Sequence, residues 1–485
     1  MPSFQITGKQ IKFALGIFFF LVGVTTGTII GSGIPVLIVA IPIIWFNRDY
    51  LLPLLLLIPI VEGALTTNTL VTTTKDAGVT QSSMAESIAI ALLTPIIIFD
   101  LIQKAKKKVP YKLTLLFIWL AVIVAIGYLV LLMHPQVPQI ATPAWVRVTL
   151  KLIKILFFWL LLKWSINYLQ EGFLRSINLL KILAPFILLI VATYIIVNPG
   201  VGRFDMSVFG MAHHGIMGGN LSTLLPFSFI LFFDRKKNFI MKVFAFLAIV
   251  GTLYVVMQIG SKNGFLCFFI MVAACAYLTL WNRSTDLKTA MVILGIIGTG
   301  VALYLLQDSA TIQRALFQEE QGGISGLSTG RTDFWYSGIE AVMHQPLLGF
   351  GGDETASVYA VTLYAPEVEG HIMHNTILEF LVEYGLVGTI FYILFIWAVF
   401  YWGYQNFKYA IRTNQLILAV PSLAYFVSQF AGLFTSRVWD STLWYNSILI
   451  FAISILWETG KVKFFKVRQL PPHALQEPRL TTINT

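Results

Sequence analysis

Charge is what this chain has least of. Only 12% of its 485 residues are Asp, Glu, Lys or Arg, against about 25% in a soluble globular protein. That excludes a soluble body of this size, because there is too little polar surface to cover it. Cysteine is also scarce. Cys267 and Cys275 lie in one apolar run, and eight residues of helix hold them about 12 Å apart, too far for a disulfide. They read as packing residues. No small-residue cleavage site follows the first apolar run, so that run is expected to remain as a span. No stretch alternates apolar and polar residues as a barrel strand does. Internal repeats and a soluble domain are missing as well.

What remains is apolar. Hydrophobic residues make up 57% of the chain, in runs of about 17–20 residues, each able to cross roughly 30 Å of hydrocarbon as a helix. Backbone groups in lipid must bond within the segment, which helices do. The expected fold is therefore all-α, a polytopic membrane bundle of about fourteen spans. They fall near 11–28, 30–46, 50–66, 84–102, 113–133, 149–166, 182–198, 218–233, 240–258, 264–281, 289–306, 375–402, 415–434 and 441–458. The net charge of +10 does not point to nucleic acid, because the basic residues sit in short loops. Lys104, Lys106, Lys107, Lys108 and Lys112, then Arg235, Lys236 and Lys237, then Lys408 and Arg412 mark one face. The positive-inside rule makes that face cytoplasmic, with both termini and the basic tail 459–485 on the same side. A chain so arranged crosses its membrane many times.

One loop is out of proportion. Residues 307–374, between spans eleven and twelve, carry nine acidic residues against Arg314 and Arg331. Loops of this length are functional or disordered, and this one is not of low complexity. Arg331 to His344 reads as an amphipathic helix with Phe334, Trp335, Ile339, Val342 and Met343 on its apolar side. Pro346 ends it, and a glycine-rich turn follows to Gly352. The chain thus divides into spans 1–306, an outer cap 307–374, spans 375–458 and the tail.

Outward-facing cations run against the positive-inside rule, so they are the first candidates. Arg203 follows span seven, Lys262 sits in the turn Gly260-Ser261-Lys262-Asn263-Gly264, and Arg331 opens the cap helix. A lysine at a helix mouth reaches a phosphate as a point charge. Such residues also serve as headgroup anchors, and the sequence alone leaves both roles open. His374 begins span twelve, where a neutral imidazole suits proton abstraction from a hydroxyl; wetting a helix start is its other role. His213 and His214 have no partner at metal-ligand spacing. Glu379 and Glu383 share a helical stripe with Asn375, away from His374, and are expected to bond neighbouring spans. Lys151, Lys154 and Lys163 in span six are expected to snorkel.

The stretch from Gly330 to Gly388 resembles the O-antigen ligase and O-antigen polymerase superfamily of membrane glycosyltransferases. Gly330-Arg331 with Trp335, then Pro346-Leu-Leu-Gly349-Phe-Gly351, then His374-Asn375, then Glu383-Tyr-Gly385-Leu-Val-Gly388 carry the resemblance. Arg203 with Asn220 and Pro226 resembles the family's upstream arginine segment more loosely. Where the family has Ser-Arg, this chain has Ser261-Lys262, which keeps the charge and loses the bidentate fork. Where the family often has Pro-Asn, it has about His213-His214.

The resemblance implies transfer of a glycan from a polyprenyl-pyrophosphate donor to an acceptor at the outer face of the cytoplasmic membrane. Neither a nucleotide sugar nor an obligatory metal or cofactor is implied. Lys262, Arg331 and His374 would be catalytic, and Arg203, His214, Asn375 and Trp335 would bind substrate. The expected partners are the lipid-linked donor, a glycan, lipid or protein acceptor and the bilayer. The reading favours an O-antigen or exopolysaccharide polymerase, with a ligase as its alternative. A flippase or transporter of lipid-linked oligosaccharide is the reading of another class, but it calls for two similar halves. A scaffold or sensor calls for a soluble signalling domain.

Overall fold

The structure, a computed structural model, describes residues 8–30, 34–61, 84–134, 137, 144–197, 214–234, 238–258, 262–280, 331–352, 354–364, 373–433 and 441–458. No strand occurs among them. In chain order the helices are α1 (Gly8–Ile30), α2 (Ile34–Phe46), α3 (Leu51–Val61), α4 (Met84–Lys104), α5 (Tyr111–Met133), α6 (Ala144–Val197) and α7 (His214–Phe233). Then come α8 (Phe239–Gln258), α9 (Lys262–Leu280), α10 (Arg331–His344), α11 (Glu354–Tyr364), α12 (Thr376–Arg412), α13 (Val420–Gly432) and α14 (Ser441–Glu458). Short 3₁₀ turns at Arg48–Tyr50 and Leu416–Ala419 lead into α3 and α13.

Five described stretches are long and apolar enough to cross a bilayer: Tyr111–Met133, Arg175–Val197, Phe239–Gln258, Asn263–Leu280 and Thr376–Arg412. Shorter apolar helices accompany them. Their outward faces show what solvent they meet. On α12, Leu386, Ile390, Ile393, Leu394 and Trp397 are exposed at helical spacing, and on α5 Ile118, Val122, Ile126 and Leu129 are too. A soluble helix carries polar groups on its outward face; these carry hydrocarbon, so the protein is a multi-pass membrane protein.

Helix covers much of each predicted span on described residues; the eleventh, 289–306, lies outside them. Spans six and seven fall on one helix of 54 residues, α6, where a break is expected at 167–181. At about 1.5 Å per residue it is far longer than one crossing. Its middle is tied to the end that carries the basic loop. There, Tyr168 Oη donates to Asp49 at 3.3 Å and Arg175 pairs with Asp49 at 3.1 Å. Asn167 accepts the N–H groups of Lys106 and Lys107 at 2.9 and 2.8 Å. Beside them Arg48 grips Asp100 with two bonds, 2.8 and 3.1 Å, while Trp164 donates to the same carboxylate at 3.0 Å.

The helix of α12 breaks at Gly385, whose φ of 62° and ψ of −168° are not helical. The break orphans the carbonyls of Val382 and Glu383 and the N–H groups of Leu386 and Val387. All four find partners in the turn after α10. Phe350 and Gly351 donate to Val382 and Glu383 at 2.9 and 3.0 Å; Leu386 and Val387 donate to Pro346 and Leu347 at 2.8 and 3.2 Å. The two segments exchange backbone bonds as paired strands do, without being strands. A broken helix survives at membrane depth only where protein satisfies it so. Gly349, at φ 68°, and Gly385 make room for each other: a Cβ on Gly349 would strike the Val382 carbonyl, and one on Gly385 the Leu347 carbonyl.

Candidate functional site

At the end remote from the Arg48–Asp100 pair, α9 and α12 begin beside the end of α13, and α10 begins against the start of α12. Asn375 caps α12, its side chain accepting from Ile377 and Leu378 N–H at 3.1 and 3.0 Å. Its amide donates to the carbonyl of Leu433, just past α13, at 3.3 Å. Asn263, buried in the first turn of α9, donates to Ala431 at 3.3 Å. The last carbonyls of α13 thus take amide donors from the starts of α9 and α12. This brings the backbones of Lys262 and His374, the neighbours of those asparagines, to one helix end.

His374 precedes the cap in a left-handed conformation, φ 50°, which costs an L-residue about 1 kcal/mol. Its flanks hold it there. Met373 is buried and its N–H reaches Ser357 Oγ of α11 at 3.3 Å. The imidazole, half-buried, lies 5.8 Å from the Phe334 ring, centroid to centroid. Phe334 is one turn from Arg331, so the start of α10 faces His374. Gly338 continues the contact, with no room for a Cβ beside Met373 and Leu378.

The structure therefore gathers His374, Asn375, Arg331 and the first turn of α9. Arg331 is half-buried in the first turn of α10. Trp335 is half-buried one turn on; its indole N–H is buried without a protein partner among the described residues. Lys262 and His214 are the first residues of α9 and α7, and their side chains lie outside the described residues, as does the whole of Arg203.

Helix N-termini carry partial positive charge, so a cation there is locally unfavourable. Lys262 and Arg331 break that rule at the two helix starts connected through the start of α12 and the end of α13. Such a pattern fits an anion held between backbone N–H groups and side-chain cations.

Two features escaped the sequence reading. Ser357, on a short helix with no charge pattern, supports Met373, and only the fold reveals it. Lys151 does not snorkel: it is buried, donates to Gly352 at 3.2 Å and lies 3.9 Å from Glu383. Lys154 is buried too, with its ammonium 6.0 Å from the centre of the Phe158 ring. Glu383 does pair with a neighbouring helix, through Lys151 of α6, as its position in the stripe implies. The available signal was a lysine one turn from another inside an apolar run, opposed by glutamates at helical spacing elsewhere.

A Haemophilus influenzae protein described as uncharacterized is 23% identical over 237 residues, covering 44% of this chain and 59% of its own length. The chain thus spans about three fifths of the curated relative it matches. Residues 246–393 match the family model described as O-antigen ligase. The match takes in Lys262, Arg331, Trp335, His374, Asn375 and the interlocked glycines, and it starts after Arg203 and His214. With a membrane bundle around it, the match of segment 246–393 to the O-antigen ligase family supports a likeness to the O-antigen ligase and polymerase superfamily.

Proposed function

We propose that the protein transfers an oligo- or polysaccharide from a polyprenyl-pyrophosphate donor to a glycan hydroxyl at the outer face of the cytoplasmic membrane. The observation that carries this reading is that the start of α12, with His374, meets the Arg331 end of α10 on one side and shares the end of α13 with the Lys262 end of α9 on the other. In the reaction the bond from the anomeric carbon to the pyrophosphate oxygen breaks as the acceptor oxygen bonds that carbon. The acceptor proton passes to the His374 imidazole, and polyprenyl pyrophosphate leaves with the bonding electrons. Negative charge grows on the phosphates during this step. Lys262 and Arg331, assisted by Arg203, hold it, and they act mainly in the transition state. Trp335, Asn375 and His214 line the donor's path.

The test is to replace His374, Arg331, Lys262 and Arg203 singly by Ala and to follow glycan transfer in membranes at matched expression. His374→Ala is expected to lose about 10²–10⁴ in rate, and Arg331→Ala about 10²–10³. Wild-type rates in either would sink the mechanism. A polymerase is favoured over a ligase: deleting the gene should leave single repeats on the lipid carrier, whereas long chains stranded there would mean a ligase.

A further inference from the structure

The peptide of Gly352 is a junction of three helices. Its N–H donates to Gly127 of α5 at 2.9 Å. Its carbonyl accepts from Lys151 Nζ of α6 and from Tyr384 Oη of α12, both at 3.2 Å. Lys151 in turn lies 3.9 Å from Glu383 Oε2, with side-chain exposures of 10% and 1%. An ammonium and a carboxylate held this far from water are costly in lipid and mark function by default. Neither belongs to the group of residues around His374.

We infer that Lys151, through Glu383 and Gly352, is a positioning residue that sets the half-helix presenting His374. The break at Gly385 makes residues 376–384 a separate unit, about 13 Å long, with His374 at one end and Glu383 at the other. A unit so short is not aligned by its own length. Its far end is fixed by the interlock with 346–351 and by the charge of Lys151. The same lysine fixes Gly352, from which the chain runs by way of α11 to Ser357 and the N–H of Met373. Lys151 therefore holds both supports of His374, one through α12 and one through α11. The Arg48–Asp100 pair has no such reach, since it ties the opposite end of the bundle.

This inference rests on the proposed transfer for its kinetic arm and stands apart from it for its structural arm. The full-length protein, purified in nanodiscs, is compared as wild type, Lys151→Met, Lys151→Arg and Glu383→Gln. Hydrogen exchange is followed across 373–384 and, as a control, across α14. Transfer is measured with a lipid-linked donor. In Lys151→Met, exchange should rise in 373–384 and not in α14. The kcat should fall by about 10²-fold, the scale for a displacement of about 1 Å, while the donor KM stays unchanged. Lys151→Arg should restore most of both. Wild-type exchange in 373–384 of Lys151→Met, beside an active wild type, would overturn the inference and leave the glycosyl transfer standing. Altered exchange in an enzyme whose wild type transfers no glycan would keep the clamp and remove the function. If Lys151→Met does not fold, Glu383→Gln carries the test: raised exchange in 373–384 with a lower kcat at unchanged donor KM supports the inference, and normal exchange there overturns it.

Discussion

Two ion pairs of similar burial stand at opposite levels of the bundle and are built on different plans. Arg48 and Asp100, 14% and 11% exposed, make a two-bond chelate. The guanidinium also donates to the carbonyls of Ile44 and Trp45, at 2.7 and 2.6 Å, and Trp164 takes a further lone pair of the carboxylate. Lys151 and Glu383 sit farther apart, at 3.9 Å, and the lysine spends its donor on the backbone carbonyl of Gly352. The first pair satisfies itself and closes an end. The second is directed at a helix break and at the loop that fills it. Burial alone does not separate a structural pair from a functional one; what each charge is bonded to does.

The comparison can be broken most severely at the glycines. Gly385→Ala puts a Cβ into the carbonyl of Leu347, and Gly349→Ala puts one into that of Val382, each at a positive φ. Backbone cannot yield on either side, and separating the segments strands four peptide groups in the protein interior. The expected cost is about 4 kcal/mol or more, seen as loss of monodisperse protein on extraction from membranes. Normal yield from both variants would mean that the interlock is not required. Asp100→Ala comes next. Removing one partner of a buried pair leaves the other charge uncompensated, at about 3 kcal/mol. The apparent melting temperature should drop while the kcat of the folded fraction holds. A fall in kcat equal to that of Lys151→Met would erase the distinction between the two pairs.

Much of this was legible beforehand, and the reasons are physical. An apolar run of about 17–20 residues has one solution in lipid, so helices were readable nearly everywhere. The helix at Arg331–His344 followed from its periodicity and from Pro346 beyond it. The glycines at 349 and 385 were visible, but the exchange of hydrogen bonds between them was not, since it joins segments more than thirty residues apart. The continuous helix of α6 was hidden by Glu171, Arg175 and Lys181, polar residues that suggested a loop. Lys151 was misread because its stem could equally have reached the interface. Only the glutamate opposite, supplied by a helix more than two hundred residues on, decided its direction. Within the site, the cations and His374 stood out by charge and position, whereas Asn263 and Ser357 act through backbone groups that no motif announces.

The smallest expected effect sharpens the site itself. Asn375 does two things that different substitutions separate: its oxygen caps α12, and its amide holds the end of α13. Asn375→Ser keeps a cap and gives up the reach to Leu433. Asn375→Ala loses both, with a cap worth about 1 kcal/mol. Asn375→Asp keeps the cap and sets a negative charge beside the pyrophosphate's expected seat. Thermal unfolding should therefore rank Ala below Ser and Asp. Donor KM should rank differently, with Asp worst because like charges repel there. If Asp binds donor as well as Ser does, no anion sits at this helix start. The cations at the first positions of α9 and α10 would then need another explanation.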